Sequence, residues 1–174
     1  QANSQIDFLS KTIDDFKEFY TPKKEKENFF IKDCVDTVLS ILSADLKNHN
    51  ISVEIDFRTI EEIEIYGSKN EFSQVLLALI SNSIDELKDI ENPQININID
   101  SNSSDVMVFI SDNGKGIKGS LSKLFEPYFT TKDKGTGLGL FLVKQIIEES
   151  FNGKIEVKNL KEGCEFSLII EKHI

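Results

Sequence analysis

The chain has 174 residues, 39% of them hydrophobic, which suffices for one compact core with an appended element. Its 20 basic and 30 acidic residues leave a formal charge of -10, so a nucleic-acid backbone or an anionic membrane is repelled on average and a polyanionic ligand needs locally organised donors. No apolar run nears the roughly 20 residues that span a bilayer, and residues 1–7 lack the basic and apolar stretches of a signal peptide, so the chain reads as soluble.

Ile6, Leu9, Ile13, Phe16 and Tyr20 recur at spacings of three and four, which draws an apolar seam along one face of a helix. Such a seam needs a partner: a helical hairpin or dimer element, or the body of the chain's own domain. Pro22 lacks an amide hydrogen and pushes Thr21 out of helical geometry, so the helix ends there. The charged residues 23–28 read as a solvated connector. A helical start without an initiator Met predicts a piece of a longer protein.

Over residues 30–48, Ile31, Val35, Val38, Leu39, Leu42 and Leu46 predict a helix, and the alternation of Val53, Ile55 and Phe57 predicts a strand. A short strand over residues 63–66 leads to a second helix over about 69–90. Its core stripe is Phe72, Val75, Leu76, Leu79, Ser83, Ile84 and Leu87, and Asn92-Pro93 makes the turn after it. Ile95, Ile97 and Ile99, then Val106, Val108 and Ile110, alternate on either side of a polar turn, the pattern of an antiparallel pair with one buried face. Residues 112–139 break the pattern, and so long a loop inside a compact domain is usually functional. A helix over residues 139–150, a turn at Gly153, and strands over 155–157 and 164–170 complete the chain. The fold class is α+β: a two-layer α/β sandwich with a mixed, mostly antiparallel sheet and helices on one face, preceded by a separate helix. Cys34 and Cys164 are far apart and outside any metal-ligand spacing, so they read as small buried hydrophobes in a reducing, cytoplasmic compartment.

The long loop opens on Asp112-Asn113-Gly114-Lys115-Gly116-Ile117 and closes on Gly135-Thr136-Gly137-Leu138-Gly139-Leu140, which runs into a helix. Glycines let the main chain approach a ligand closely, and unpaired amides at a helix start bind phosphate without a side-chain cation. An acidic chain can therefore hold a triphosphate with backbone donors, one or two lysines and a metal ion. Asp112 ends a strand, where its carboxylate can accept a hydrogen bond from an adenine amino group; its other reading is a turn cap before glycine. Gly114-Lys-Gly116-Ile-Lys-Gly119 fits the dinucleotide-binding glycine pattern but is not followed by the crossover helix that this motif requires. On the second long helix, Ala78, Asn82, Asp85 and Glu86 share a flank beside the apolar stripe. The Asn82 oxygen is a candidate Mg²⁺ ligand, with phosphate oxygens and water in the remaining positions.

Taken in order, these segments resemble the ATP-binding fold shared by histidine kinases, the gyrase-like heat-shock chaperones, type II topoisomerases and the mismatch-repair ATPases. Gln74-Val75-Leu76 through Asn82 resembles the N box, and residues 112–117 the first glycine box. Phe125-Glu-Pro-Tyr128-Phe-Thr-Thr131-Lys132 resembles the F box, and residues 135–140 the second glycine box. The F box points to sensor histidine kinases, and residues 12–22 resemble the end of the second dimerisation helix that precedes the domain in such kinases. The expected division is a helical-hairpin remnant over 1–22, a linker over 23–29 and a catalytic ATP-binding domain over 30–174.

The resemblance implies an ATP site made by Asn82, Asp85, Asp112, Gly114, Gly116, Ile117, Tyr128, Thr131, Lys132, Gly135, Thr136, Gly137, Leu138, Gly139 and Leu140, with Asn82 holding Mg²⁺. Residues 131–134 would form a short lid. Lys132 is the side chain in reach of the terminal phosphate, or else a solubilising surface lysine. Three departures stand out. Ala78 replaces a second Asn of many kinases and the water-activating Glu of the chaperone and topoisomerase branches, and Cys164 replaces a Thr that supports a water beside adenine. Neither His49 nor His173 has the acidic neighbour of the family's phosphoacceptor, so both read as surface residues and the acceptor histidine is expected outside this fragment. The implied partners are ATP and ADP, a response-regulator receiver domain, and a second copy joined through the stalk, with no nucleic acid. An ATPase switch of the same superfamily and a non-catalytic nucleotide-binding module are the alternatives.

Overall fold

A computed structural model describes residues 25–58, 62–129, 137 and 139–173. The helix expected over residues 1–22 therefore lies outside the described residues. Strand β1 (Glu27–Phe30) pairs antiparallel with β3 (Glu64–Gly67) in a small ribbon, with Phe29 opposite Ile65. The expected linker over 23–29 thus contributes its last residues to a strand, and Phe30 ends that strand instead of opening a helix. Phe29 is buried while Glu27 and Asn28 stay exposed, so the charged residues are solvated even within the ribbon.

Helix α1 (Ile31–Ile41) and helix α2 (Ser43–Asn48) replace the single helix expected over residues 30–48. The break falls at Leu42 (φ -89°, ψ 2°), and Leu42 and Leu46 are both buried. Strand β2 (Ser52–Phe57) follows. Helix α3 (Lys69–Glu86) begins where the Ser68 hydroxyl accepts the Glu71 N–H at 3.2 Å, the Ser-x-x-Glu pattern of a helix N-terminus. Its stripe from Phe72 to Leu87 is buried as the spacing predicts, and Ile80 and Gln74 join it; the helix closes at Glu86, short of the expected residue 90.

Strands β4 (Gln94–Ser101), β5 (Asp105–Asp112), β6 (Gly153–Asn159) and β7 (Cys164–Glu171) complete a five-stranded sheet in the order β2-β4-β5-β7-β6. Only the β2–β4 pairing in this sheet is parallel. The alternation of β4, β5 and β7 buries Ile95, Ile97, Ile99, Val106, Val108, Ile110, Phe166, Leu168 and Ile170 on the face that carries the helices. The opposite face keeps Asn96, Asn98, Met107, Phe109, Ser167 and Ile169 half-buried. Helix α4 (Gly139–Gln145) runs on into a π-helical turn, Ile146–Ser150, which delivers Phe151 to the core.

Phe72 and Phe151 have ring centroids 5.5 Å apart, and Phe29 lies 5.8 Å from Phe72 and 6.4 Å from Phe151. This triad joins β1, α3 and the end of the π turn. Tilted and edge-on rings add to the gain from burial alone. Phe72→Ala is expected to cost about 3–5 kcal/mol through the cavity it leaves, measurable by urea unfolding; a loss below about 1 kcal/mol would contradict this packing.

Candidate functional site

Inner-facing rows of three neighbouring strands turn polar at the same end of the sheet. In β5 the row Val106, Val108, Ile110 ends on Asp112; in β7 the row Ile170, Leu168, Phe166 ends on Cys164; in β6 the row Ile155, Val157 ends on Asn159. Asp112 is 4% exposed, and a carboxylate so buried needs partners. Its Oδ1 accepts the Gly114 N–H at 3.0 Å, and its Oδ2 accepts from the Cys164 Sγ–H at 3.6 Å. A carboxylate has about four lone-pair directions, so both oxygens retain accepting capacity toward the cavity.

Two glycines permit that arrangement. A Cβ on Gly114 would lie 3.0 Å from Asp112 Oδ1 and 3.2 Å from the Glu86 carbonyl oxygen. At Gly163 (φ +80°) a Cβ would lie 1.8 Å from the Asp112 carbonyl oxygen, which no side chain can accommodate. Asn113 fastens the start of the first glycine loop to the turn before β4: its Oδ1 accepts the Gln94 N–H at 2.7 Å and its Nδ2 donates to the Asn92 carbonyl at 3.0 Å.

Asp112 opens onto a cavity of about 470 Å³, within the range of small-molecule sites. Ala78, Asn82, Asp85 and Glu86 of α3 form one wall, Gly116, Ile117, Lys115 and Lys118 of the first glycine loop a second, and Gly137, Gly139 and Leu140 a third. Leu124, Phe129, Cys164 and Phe166 complete the lining. The two glycine segments, far apart in the chain, thus face one space with Asp112 between them. Gly114 reaches the site through its hydrogen bond to Asp112, whereas Tyr128 does not line the cavity and is 77% exposed. Its backbone contributes instead: the Tyr128 N–H donates to the Gly137 carbonyl at 3.0 Å, and a Cβ on Gly137 (φ +72°) would sit 2.4 Å from the Tyr128 carbonyl carbon. Thr131, Lys132, Gly135, Thr136 and Leu138 lie outside the described residues.

Sequence patterns point to several of these walls and miss others. Phe166 is legible as an inward strand residue, but its place at the cavity end depends on the strands beside it. Leu124 follows a 3₁₀ turn (Leu121–Lys123) inside what reads as an unbroken loop, and it is buried. Cys164 is buried as expected, yet it is also a donor to Asp112. Neither His49 nor His173 lines the cavity; His173 is exposed, with its ring 5.7 Å from that of Tyr66.

Among the described residues no three His, Cys, Asp or Glu side chains converge closely enough to hold a metal ion. Asn82, Asp85 and Glu86 nevertheless give the α3 wall hard oxygen donors, which fits Mg²⁺, an ion that takes one or two protein oxygens and completes its shell with phosphate and water. Asp85 also pairs with Lys88 at 3.1 Å. Among the described residues no helix is long and apolar enough to cross a membrane.

Burial first, then the neighbouring Asp112 charge and hydrogen bond, push the Cys164 thiol up from 9.0 to about 12; burial raises Cys34 as well. A thiol whose folded-state pKa lies above its unfolded value stabilises the fold fully below pH 9 and loses that contribution as pH rises toward 12. At pH 8 an aromatic disulfide reagent is expected to find no fast-reacting thiol in the folded protein and both thiols after denaturation. Rapid labelling of Cys164 in the folded state would contradict the hydrogen bond to Asp112.

Comparison with known proteins agrees with this geometry. Residues 67–174 match the family described as histidine kinase-, DNA gyrase B- and HSP90-like ATPase. The sensor protein TdiS of Thauera aromatica is 31% identical over 169 residues, covering 93% of this chain and 30% of that protein. The chain thus spans about a third of the length of such curated relatives. Among solved structures, the catalytic domain of histidine kinase ThkA superposes with a TM-score of 0.77 at 30% identity, covering 85% of this chain and 96% of that one. ThkA in complex with the response regulator TrrA superposes with a TM-score of 0.79 at 25% identity, covering 98% of this chain and 50% of that one. The chain belongs to the histidine kinase-, DNA gyrase B- and HSP90-like ATPase family and carries the ATP-binding catalytic domain of its sensor histidine kinases.

Proposed function

We propose that the cavity holds ATP with the adenine amino group on Asp112 and the phosphate tail toward the second glycine segment, presenting the γ-phosphoryl group to a histidine of the parent protein. The observation that supports this reading best is that Asp112, Gly137 and Gly139 border the same cavity, with Lys115 and Lys118 also lining it. Asp112 accepts from a ligand N–H while the Gly114 N–H and the Cys164 thiol hold its carboxylate in place. Ile117, Leu124, Phe129 and Phe166 give the purine apolar walls that exclude water. In this reading Thr131, Lys132, Gly135, Thr136 and Leu138 complete the phosphate end, and Tyr128 contributes through its backbone contact with Gly137. Asn82, aided by Asp85, would hold Mg²⁺, which supplies charge neutralisation to the phosphates when bound.

The transfer itself is an in-line displacement. An imidazole nitrogen of the acceptor forms the N–P bond as the bond from the γ-phosphorus to the β,γ-bridging oxygen breaks, and ADP leaves with that electron pair. Positioning and charge neutralisation are the protein's main contributions. In this reading the acceptor histidine stands outside these residues, on a stalk whose end is residues 1–22, and the catalytic domain, which includes β1, lies in the cytoplasm. ThkA has been solved with a response regulator, which supports a receiver-domain aspartate as the next acceptor here. The proposal also joins two copies of the parent protein through the stalk. Ala78 lines the cavity where the chaperone and topoisomerase branches carry a water-activating Glu, which favours transfer to a side chain over ATP hydrolysis.

Asp112→Asn is expected to abolish detectable adenine-nucleotide binding in a folded protein. It removes a charge-assisted hydrogen bond worth about 1.5–3 kcal/mol and turns an amide donor toward the adenine amine. Unchanged ATP affinity by calorimetry would end the adenine assignment. Extending the chain with a stalk that bears the acceptor histidine is expected to yield acid-labile phosphate label on the protein. Acid-stable label on Ser or Thr would instead indicate a serine kinase of the same superfamily.

A further inference from the structure

Asn159 ends β6 directly across from Cys164 of β7, so both side chains leave the hairpin on the same face. Cys164 meets Asp112; Asn159 meets the far end of the first glycine loop. The Asn159 Oδ1 accepts the Ile117 N–H at 2.7 Å, and its Nδ2 donates to the Ile117 carbonyl at 2.9 Å. A carboxamide presents one acceptor and two donors on a planar group, so a single side chain here satisfies both main-chain groups of Ile117 as a neighbouring strand would.

The loop backbone lies flush against that side chain. A Cβ on Gly116 (φ +74°) would fall 3.0 Å from Asn159 Oδ1 and 3.1 Å from the Gly163 carbonyl oxygen. The hairpin turn behind it is closed by the Leu160 N–H donating to the Gly163 carbonyl at 2.9 Å. Gly116 and Ile117 line the cavity with Asp112, whereas Asn159 does not touch it. The residue therefore acts on the cavity through the loop.

We propose that Asn159 is a positioning residue of the nucleotide site, locking Gly116 and Ile117 to the β6–β7 hairpin so that the first glycine loop keeps its distance from Asp112. The inference rests on the cavity's being the adenine-nucleotide site. With Asn113 holding the loop's start and Asn159 its end, the segment between them is preorganised, and a preorganised site does not spend binding free energy on ordering itself.

Asn159→Ala in the full chain is expected to weaken ATP and ADP binding alike by roughly tenfold, the effect of losing two ordinary hydrogen bonds. Its thermal midpoint should stay within a few degrees, while hydrogen exchange at the Ile117 amide accelerates. Asn159→Asp keeps the acceptor and loses the donor, so it should retain protection at Ile117 and bind with intermediate affinity. Wild-type affinity in folded Asn159→Ala, beside lost binding in Asp112→Asn, would overturn this role and leave the nucleotide reading intact. Weakened binding that only tracks a loss of folded protein would overturn it too. Failure of the unaltered chain to bind either nucleotide would remove both.

Discussion

A carboxylate at the inner end of a central strand governs this domain's architecture. Asp112 continues a row of valines and isoleucine that packs under the helices, where an unpartnered charge would be strongly unfavourable. The surrounding chain is arranged to satisfy it. Gly114 curls back to donate its N–H, Cys164 donates from the next strand, and Gly163 passes so close that only a hydrogen atom fits at its α-carbon. The same charge helps keep the Cys164 thiol protonated, which preserves the donor that supports the carboxylate.

The cavity follows from where the apolar rows stop. α3 packs against β5 and the π-helical turn against β6, and the cavity opens where the inward rows of β5 and β7 end on Asp112 and Cys164. Apolar walls remain on its flanks and polar groups gather at its floor and rim, as a planar, amine-bearing ring with a charged tail requires. In the proposed reading a protein of net charge -10 holds such a tail with local donors: main-chain amides of glycine-rich segments and the nearby Lys115 and Lys118, which line the cavity.

The loop that lines this cavity is held by side chains standing in for secondary structure. Asn113 and Asn159 each bind main-chain groups of a distant segment, one at either end of residues 113–117. Such bonds fix the loop without extending the sheet, leaving the glycines' remaining surface free to meet a ligand. The backbone contact between Tyr128 and Gly137 ties the F box to the second glycine segment in a comparable way.

Local periodicity was enough to place the α3 stripe, the β4–β5 pair and the inward faces of β5 and β7, because burying one face imposes a period that each segment carries by itself. The glycine segments and Asp112 were legible for the same reason: they interrupt that period with residues whose backbone freedom or charge has few structural uses. Strand β1 was not legible, since Phe29 closes a stretch that reads as a linker and Phe30 opens one that reads as a helix, and the two become a strand only by pairing with Ile65 and Glu64, far along the chain. Nor does any pattern near Asn159 announce a hydrogen bond to Ile117, or any near Cys164 a bond to Asp112. Those contacts join residues that only strand order and register bring together, and it is the tertiary structure that turns separate motifs into one cavity.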